Sequence, residues 1–261
     1  MVLYDTRCRL GEGVLVSPLD GSVHWVDIER GQVFRDGKVI REGPMVGGFT
    51  IQQDGSLLLF GPEGRISHWS PEGERVLVET LPEVGGSRFN DVIARPDGSV
   101  VAGSLNGFLF VLDTLGAVSK VGEGYGQPNG MAYTEKGLYF TDTHAATIYL
   151  FEAGSLTSRR VAFKTDGEPG FSDGLTADAE GFLWSARWGG SCLIRYAPDG
   201  RVDRQVDLPA ENVTSASFGG HELYVSTASE DRLPPPNGAL FQLAVDVAGG
   251  PDYLSSVCLA S

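Results

Sequence analysis

The chain has 261 residues, 41% of them hydrophobic and 36 of them glycine, and a formal net charge of −14. So acidic a surface repels nucleic acid and anionic membranes, and neither is expected as a partner. No stretch reaches the roughly 18 apolar residues of a membrane span. The opening "MVLYDTRCRLGEG" lacks the basic-then-apolar order of a signal peptide, so a cytoplasmic, soluble protein is expected.

In chain order, turn signals recur as "LDG" at Gly21, "QDG" at Gly55, "PDG" at Gly98, "EKG" at Gly137, "AEG" at Gly181 and "GGHE" near Gly220. The spacing, about 34 to 44 residues, is that of propeller blades. Each turn is followed by a strand-like run: "SVHWVDI", "SLLLFG", "SVVAGS", "LYFTDT", "FLWSAR" and "LYVSTAS". A further run follows each, from "GQVFRDG" in the first repeat to "GALFQLA" in the last. Strand, turn and strand repeated six times predict an all-β fold, a six-bladed β-propeller of four-stranded antiparallel blades, as one domain over residues 1–261. The best helix candidate, "PAENVTSASFGG", is too polar and too rich in Thr and Ser to form one. To close the ring, "YDTRCRL" near the N-terminus is expected to add a strand to the blade made by the C-terminal residues.

Aligned on their turns, the repeats place Glu12, Gly47, Asn90, Asn129, Asp173 and Thr214 in one register. Innermost strands line a propeller's channel, so equivalent positions form a ring. Two carboxylates and two carboxamides converging on an axis suit a hard divalent cation. Few protein ligands leave coordination positions for water or substrate. Cys8, Cys192 and Cys258 are far apart and suggest no disulfide framework, and the four histidines form no zinc motif.

The segments "RLGEGVLVSPLDGSVHWVDI", "GSRFNDVIARPDGSVVAGS", "QPNGMAYTEKGLYFTDT", "SDGLTADAEGFLWSARWGG", "RYAPDGRV" and "VTSASFGGHELYVSTAS" together resemble the SMP-30/gluconolactonase/luciferin-regenerating family, which includes regucalcin. The likeness runs over nearly the whole chain. It implies a six-bladed propeller with one divalent metal in its channel, and hydrolysis of a sugar lactone. Matched motif to motif, Glu12 of "LGEG", Asn129 of "QPNG" and Asp173 of "SDG" are similar to the metal ligands. Asn90 and Arg88 of "RFND" are similar to the substrate-facing residues. The chain departs from the family pattern at Val14, Val92 and Ser172, none of which removes an oxygen ligand. Only "SLNG" joins two strands after "VVAG", where many relatives carry a longer loop over the mouth, which implies a wider entrance.

The expected chemistry is metal polarisation of the lactone carbonyl and attack by water. Asp173 serves as base, or the metal itself acidifies the water, since a metal-bound carboxylate is a weak base. Trp188 of "RWGG" is placed to stack on a sugar face, the other reading being a core position between blades. All-oxygen ligation points to Ca²⁺ first, with Mg²⁺, Mn²⁺, Zn²⁺ and Fe²⁺ as further candidates. The partner expected is a small lactone, and the chain a monomer or weak homo-oligomer. Competing readings are a calcium-binding propeller without enzymatic activity, a metal-dependent ester or organophosphate hydrolase, and a metal-free interaction propeller. Polar groups such as Arg88 and Asn90 facing open coordination positions favour an enzyme.

Overall fold

The computed structural model describes residues 1–152 and 155–258. Its strands form six four-stranded antiparallel sheets. Blade 1 runs β2 (Gly11–Val16), β3 (Val23–Asp27), β4 (Gln32–Arg35) and β5 (Lys38–Glu42); β1 (Val2–Tyr4) belongs elsewhere. Blade 2 runs β6 (Gly48–Ile51), β7 (Leu57–Phe60), β8 (Ile66–Ser70) and β9 (Gly73–Val78). After a 3₁₀ turn at Pro82–Val84 comes blade 3, of β10 (Phe89–Ala94), β11 (Val100–Ser104), β12 (Leu109–Leu112) and β13 (Val118–Gly122). Blade 4 holds β14 (Pro128–Thr134), β15 (Gly137–Asp142), β16 (Thr147–Glu152) and β17 (Arg159–Lys164). Blade 5 holds β18 (Phe171–Ala177), β19 (Leu183–Trp188), β20 (Cys192–Tyr196) and β21 (Val202–Asp207). Blade 6 is β22 (Asn212–Gly219), β23 (Glu222–Ala228) and β24 (Leu240–Ala244), completed by β1 in the order β22-β23-β24-β1. The segment "PAENVTSASFGG" is thus mostly strand.

The six hairpin glycines that mark the repeat, Gly21, Gly55, Gly98, Gly137, Gly181 and Gly220, all have positive φ. A side chain there would be strained, which is why the turns show up in the sequence. In blades 1 to 3 the turn is also fixed locally. Asp20, Asp54 and Asp97 each accept hydrogen bonds from the backbone N–H and the hydroxyl of the serine two residues on, at 2.5 to 3.1 Å.

The second strands of the blades read as continuous apolar runs because both faces are covered, one by each neighbouring blade. β7 and β11 are buried at every position. The outermost β9, β13 and β21 carry their polar residues into solvent. Between adjacent blades lie six apolar clusters among the described residues, such as Phe60, Phe89 and Phe110 between blades 2 and 3, and Trp184, Val213 and Phe218 between blades 5 and 6.

Ring closure corrects one expectation. The N-terminal strand is Val2–Tyr4, with Val2 opposite Phe241, and residues 5–10 leave the sheet to cross toward the channel. Asp27 accepts the N–H groups of Arg9 and Leu10 at 2.8 and 3.2 Å, which pulls that segment onto blade 1 instead of extending β1. After β24 the chain runs under the ring. Gly250 N–H bonds to Ala177 in blade 5, Ser255 N–H to Ile51 in blade 2 and Ser256 N–H to Gly98 in blade 3. Pro251 and Asp252 thereby line the base of a narrow void of about 60 Å³ on the channel axis. No helix of the described residues is long and apolar enough to cross a membrane.

Candidate active site

In five of the six blades the pairing of the two inner strands slips by one residue, all at the same level of the channel. Glu12 lies opposite Val26 but Leu15 opposite His24; the same slip falls between Phe89 and Val92, Pro128 and Met131, Ser172 and Leu175, and Val213 and Ser215. An inserted residue of this kind bends a strand and re-aims the side chain that it carries. The side chains re-aimed are Glu12, Asn90, Asn129 and Asp173. In blade 2, which has only Gly47 at this level, β6 pairs with β7 without a slip. A Cβ on Gly47 would come within 1.9 Å of the Phe89 carbonyl, so the backbone itself requires glycine there. Gly130 and Gly174, which follow Asn129 and Asp173, are not turn residues. They lie in mid-strand where neighbouring blades touch: a Cβ on Gly130 would be 2.2 Å from Leu175 N.

Glu12, Arg88, Asn90, Asn129, Asp173 and Trp188 all line one cavity of about 330 Å³ at the channel mouth. Thr214 does not join them. It is fully buried, and its hydroxyl donates to the Gly11 carbonyl at 2.6 Å, stapling blade 6 to blade 1. Sequence reasoning missed Leu10, Gln127, Thr143, His144 and Phe171, which complete the rim. Four of these come from connections between strands, where no periodic signal runs, and Phe171 is the first residue of β18. Gln127 and the turn with Thr143 and His144 are held together by the buried Asp142, whose carboxylate accepts the N–H groups of Gly126, Gln127 and Ala145. No residue of the short 104–107 turn reaches the cavity.

The polar groups are ordered by a small network. Arg88 Nη1 donates to Asn90 Oδ1 at 2.8 Å, and Asn90 Nδ2 donates to the Pro128 carbonyl at 3.0 Å. Asn129 Nδ2 donates to Thr143 Oγ1 at 3.0 Å, and that hydroxyl donates to the Ser172 carbonyl at 2.7 Å. Among the described residues Glu12 accepts only the N–H of Gly13, at 3.1 Å. Burial pushes the Glu12 carboxyl well above the usual range, and the nearby Asp173 and Asp91 charges push it further. Burial also pushes Asp173 up to about 8, against the pull of a hydrogen bond from Asn129 and of Arg88 and Arg187. Asp91, next to Asn90 but facing the void below, is pushed up to about 6 by burial.

These residues fit a hard cation. The donors are all oxygens, two carboxylates are held out of bulk water, and Glu12 keeps oxygen lone pairs that no protein group claims. Among the described residues no three His, Cys, Asp or Glu side chains gather as a metal cluster, and the carboxamides of Asn90 and Asn129 are the further side-chain oxygens that line the same cavity.

The structure is thus a six-bladed propeller with carboxylates, carboxamides and one arginine gathered at the mouth of its channel. The chain belongs to the SMP-30/Gluconolactonase/LRE-like family, whose model matches residues 10–229. It is 39% identical to pentonolactonase XacC of Haloferax volcanii, over 98% of both chains. It is 27% identical to the L-arabinolactonase of Azospirillum brasilense, over 95% of this chain and 92% of that protein. In fold it is similar to a crystal structure of the calcium-binding protein regucalcin from Agrobacterium tumefaciens, with a TM-score of 0.85 at 24% identity over 97% and 96% of the two chains.

Proposed function

We propose that this protein is a divalent-metal-dependent lactonase that opens a sugar lactone to its aldonic acid. The observation that carries the reading is the convergence of Glu12, Asn90, Asn129, Asp173 and Arg88 on one cavity, of a size usual for small-molecule sites. The lactonase names of relatives aligned over almost the full chain support the reaction class and favour a five-carbon sugar lactone.

Glu12, Asn129 and Asp173 would hold the ion, with Ca²⁺ the first candidate for an all-oxygen set. A bound divalent ion supplies Lewis-acid polarisation of the lactone carbonyl. Arg88 and Asn90, already joined by a hydrogen bond, orient the lactone through its hydroxyls or ring oxygen. Asp173 takes a proton from the water as its oxygen bonds to the carbonyl carbon, and returns that proton to the ring oxygen as the ring C–O bond breaks, leaving a carboxylic acid and a hydroxyl. Trp188 and Phe171, directly opposite each other on β19 and β18, present aromatic faces at the rim for the apolar side of a sugar ring.

The test is acid release in a pH-stat across aldonolactones, five-carbon lactones first, after chelation and after adding back Ca²⁺, Mg²⁺, Mn²⁺, Zn²⁺ or Fe²⁺. Stripped protein should lose most of its rate and one ion should restore it; an undiminished rate in protein shown to be metal-free overturns the mechanism. Arg88→Ala should lower kcat/KM by about ten- to a hundredfold, the worth of a hydrogen bond to a charged group, while metal content stays at the wild-type level. Loss of the ion from Arg88→Ala would instead make Arg88 part of the metal support.

A further inference from the structure

Arg187, at the end of β19, has 1% of its surface exposed and lies in no ion pair among the described residues. The other deeply buried arginines do otherwise. Arg195 meets Asp178, Glu180 and Asp203 at 2.6 to 2.9 Å, and Arg41 meets Glu74 at 2.9 Å. Arg187 spends its donors on neutral acceptors instead, all in the segment that leads into Asp173. Nε donates to the Pro169 carbonyl at 2.8 Å, Nη2 to the Gly170 carbonyl at 3.1 Å, and Nη1 to Ser172 Oγ. A buried cation without a carboxylate is costly, so this placement calls for a reason beyond packing.

The reason lies one bond further on. Ser172 is the residue before Asp173, and its carbonyl accepts the Thr143 hydroxyl that in turn accepts Asn129 Nδ2. Ser172 Oγ also donates to Thr165 Oγ1 at 2.9 Å, which ties the start of the same segment. The fork of Arg187 therefore grips the single residue that links two of the three proposed ligands, Asn129 and Asp173. The contact is close as well as polar: a Cβ on Gly170 would lie 2.3 Å from the Trp188 carbonyl, and one on Gly190 would lie 2.7 Å from the Pro169 carbonyl.

We infer that Arg187 is a positioning residue for the metal centre, holding the Pro169–Ser172 backbone so that Asp173 and Asn129 face the cavity together. This rests on the metal-dependent reading above. The fork reaches its three acceptors from three separate nitrogens, where a lysine would have to reach them all from one, so lysine is a partial substitute and methionine none.

The test is Mn²⁺ binding to the chelated, refilled protein, followed by the loss of the free-ion EPR signal, with circular dichroism as the control for folding. Groups that orient a ligand set are worth roughly 10- to 100-fold in metal affinity. Arg187→Met should weaken Mn²⁺ binding within that range, Arg187→Lys should recover part of it, and Thr143→Val should weaken binding by cutting the same chain at Asn129. A folded Arg187→Met that binds Mn²⁺ like the wild type overturns the inference and leaves the metal reading standing. Where equilibrium dialysis shows that the wild type takes up another of the five ions and not Mn²⁺, that ion is the probe; wild-type protein that takes up none of the five takes down both. Should Arg187→Met not fold, Ser172→Ala, which removes the hydroxyl but spares the arginine, decides the matter: unchanged affinity refutes the link and weakened affinity supports it.

Discussion

Asp173→Ala is expected to lose both its divalent ion and its lactone-opening activity, by at least about 10³-fold in kcat, since it removes a proposed ligand and the proposed proton acceptor at once. The fold should survive. Asp173 sits in the slip between the paired residues Ser172 and Leu175, so no ladder pair of β18 depends on its side chain, and its carboxylate is a desolvated group near two others, Glu12 and Asp91. In the presence of a chelator the variant should therefore melt no lower than the wild type, because residues kept for chemistry are commonly kept at some loss of stability. Metal analysis, pH-stat rates and a chelated melting curve check the three parts. A variant that keeps the ion and a tenth of the rate would remove Asp173 from the mechanism.

The largest effect on stability is expected at Arg195, far from the cavity. Its guanidinium lies under the Phe182 ring at 3.8 Å and meets three carboxylates, of which Asp178 is fully buried. Arg195→Met would fill the volume but strand the Asp178 charge, for which breaking a buried pair costs about 3–5 kcal/mol. Asp178 keeps hydrogen bonds from Trp184 Nε1 and from the N–H groups of Glu180 and Phe182, so the lower end of that range is expected. Denaturant midpoints should show it, and Arg195→Met with Asp178→Asn should lose less than the single change. A loss of under 1 kcal/mol would mean that the three remaining donors suffice. Lactone opening by the folded fraction should be unaffected.

The blades were legible because hairpins at one level all need a glycine with positive φ, and because strands covered on both faces become unbroken apolar runs such as "SLLLFG". The register of Glu12, Asn90, Asn129 and Asp173 was legible for the same reason, the last three lying eight residues before their turn glycines and Glu12 nine, the turn of blade 1 being one residue longer. What makes the register functional was not. The slipped pairings that turn the four side chains inward appear only when strands are laid side by side, and Thr214, in the same column, is spent on a contact between blades. Gly130 and Gly174 look like turn residues in sequence yet serve the close approach of blades. Gln127, Thr143, His144 and Phe171 reach the rim from loops or strand ends, where neighbours in space are distant along the chain. Arg187 reads as an ordinary residue at a strand end; its burial depends on the loop that folds over it.

The sixth blade takes three strands from one end of the chain and its outermost strand from the other. A ribosome producing this protein can release five contiguous sheets in order, yet β1 must wait, unpaired, until β24 emerges to receive it. At synthesis rates of about 5–20 residues per second that interval lasts on the order of ten seconds or more. The wall between β22 and β2 is also the last to form, so a nascent chain spends most of its translation as an open arc whose cavity lacks the neighbour of Glu12.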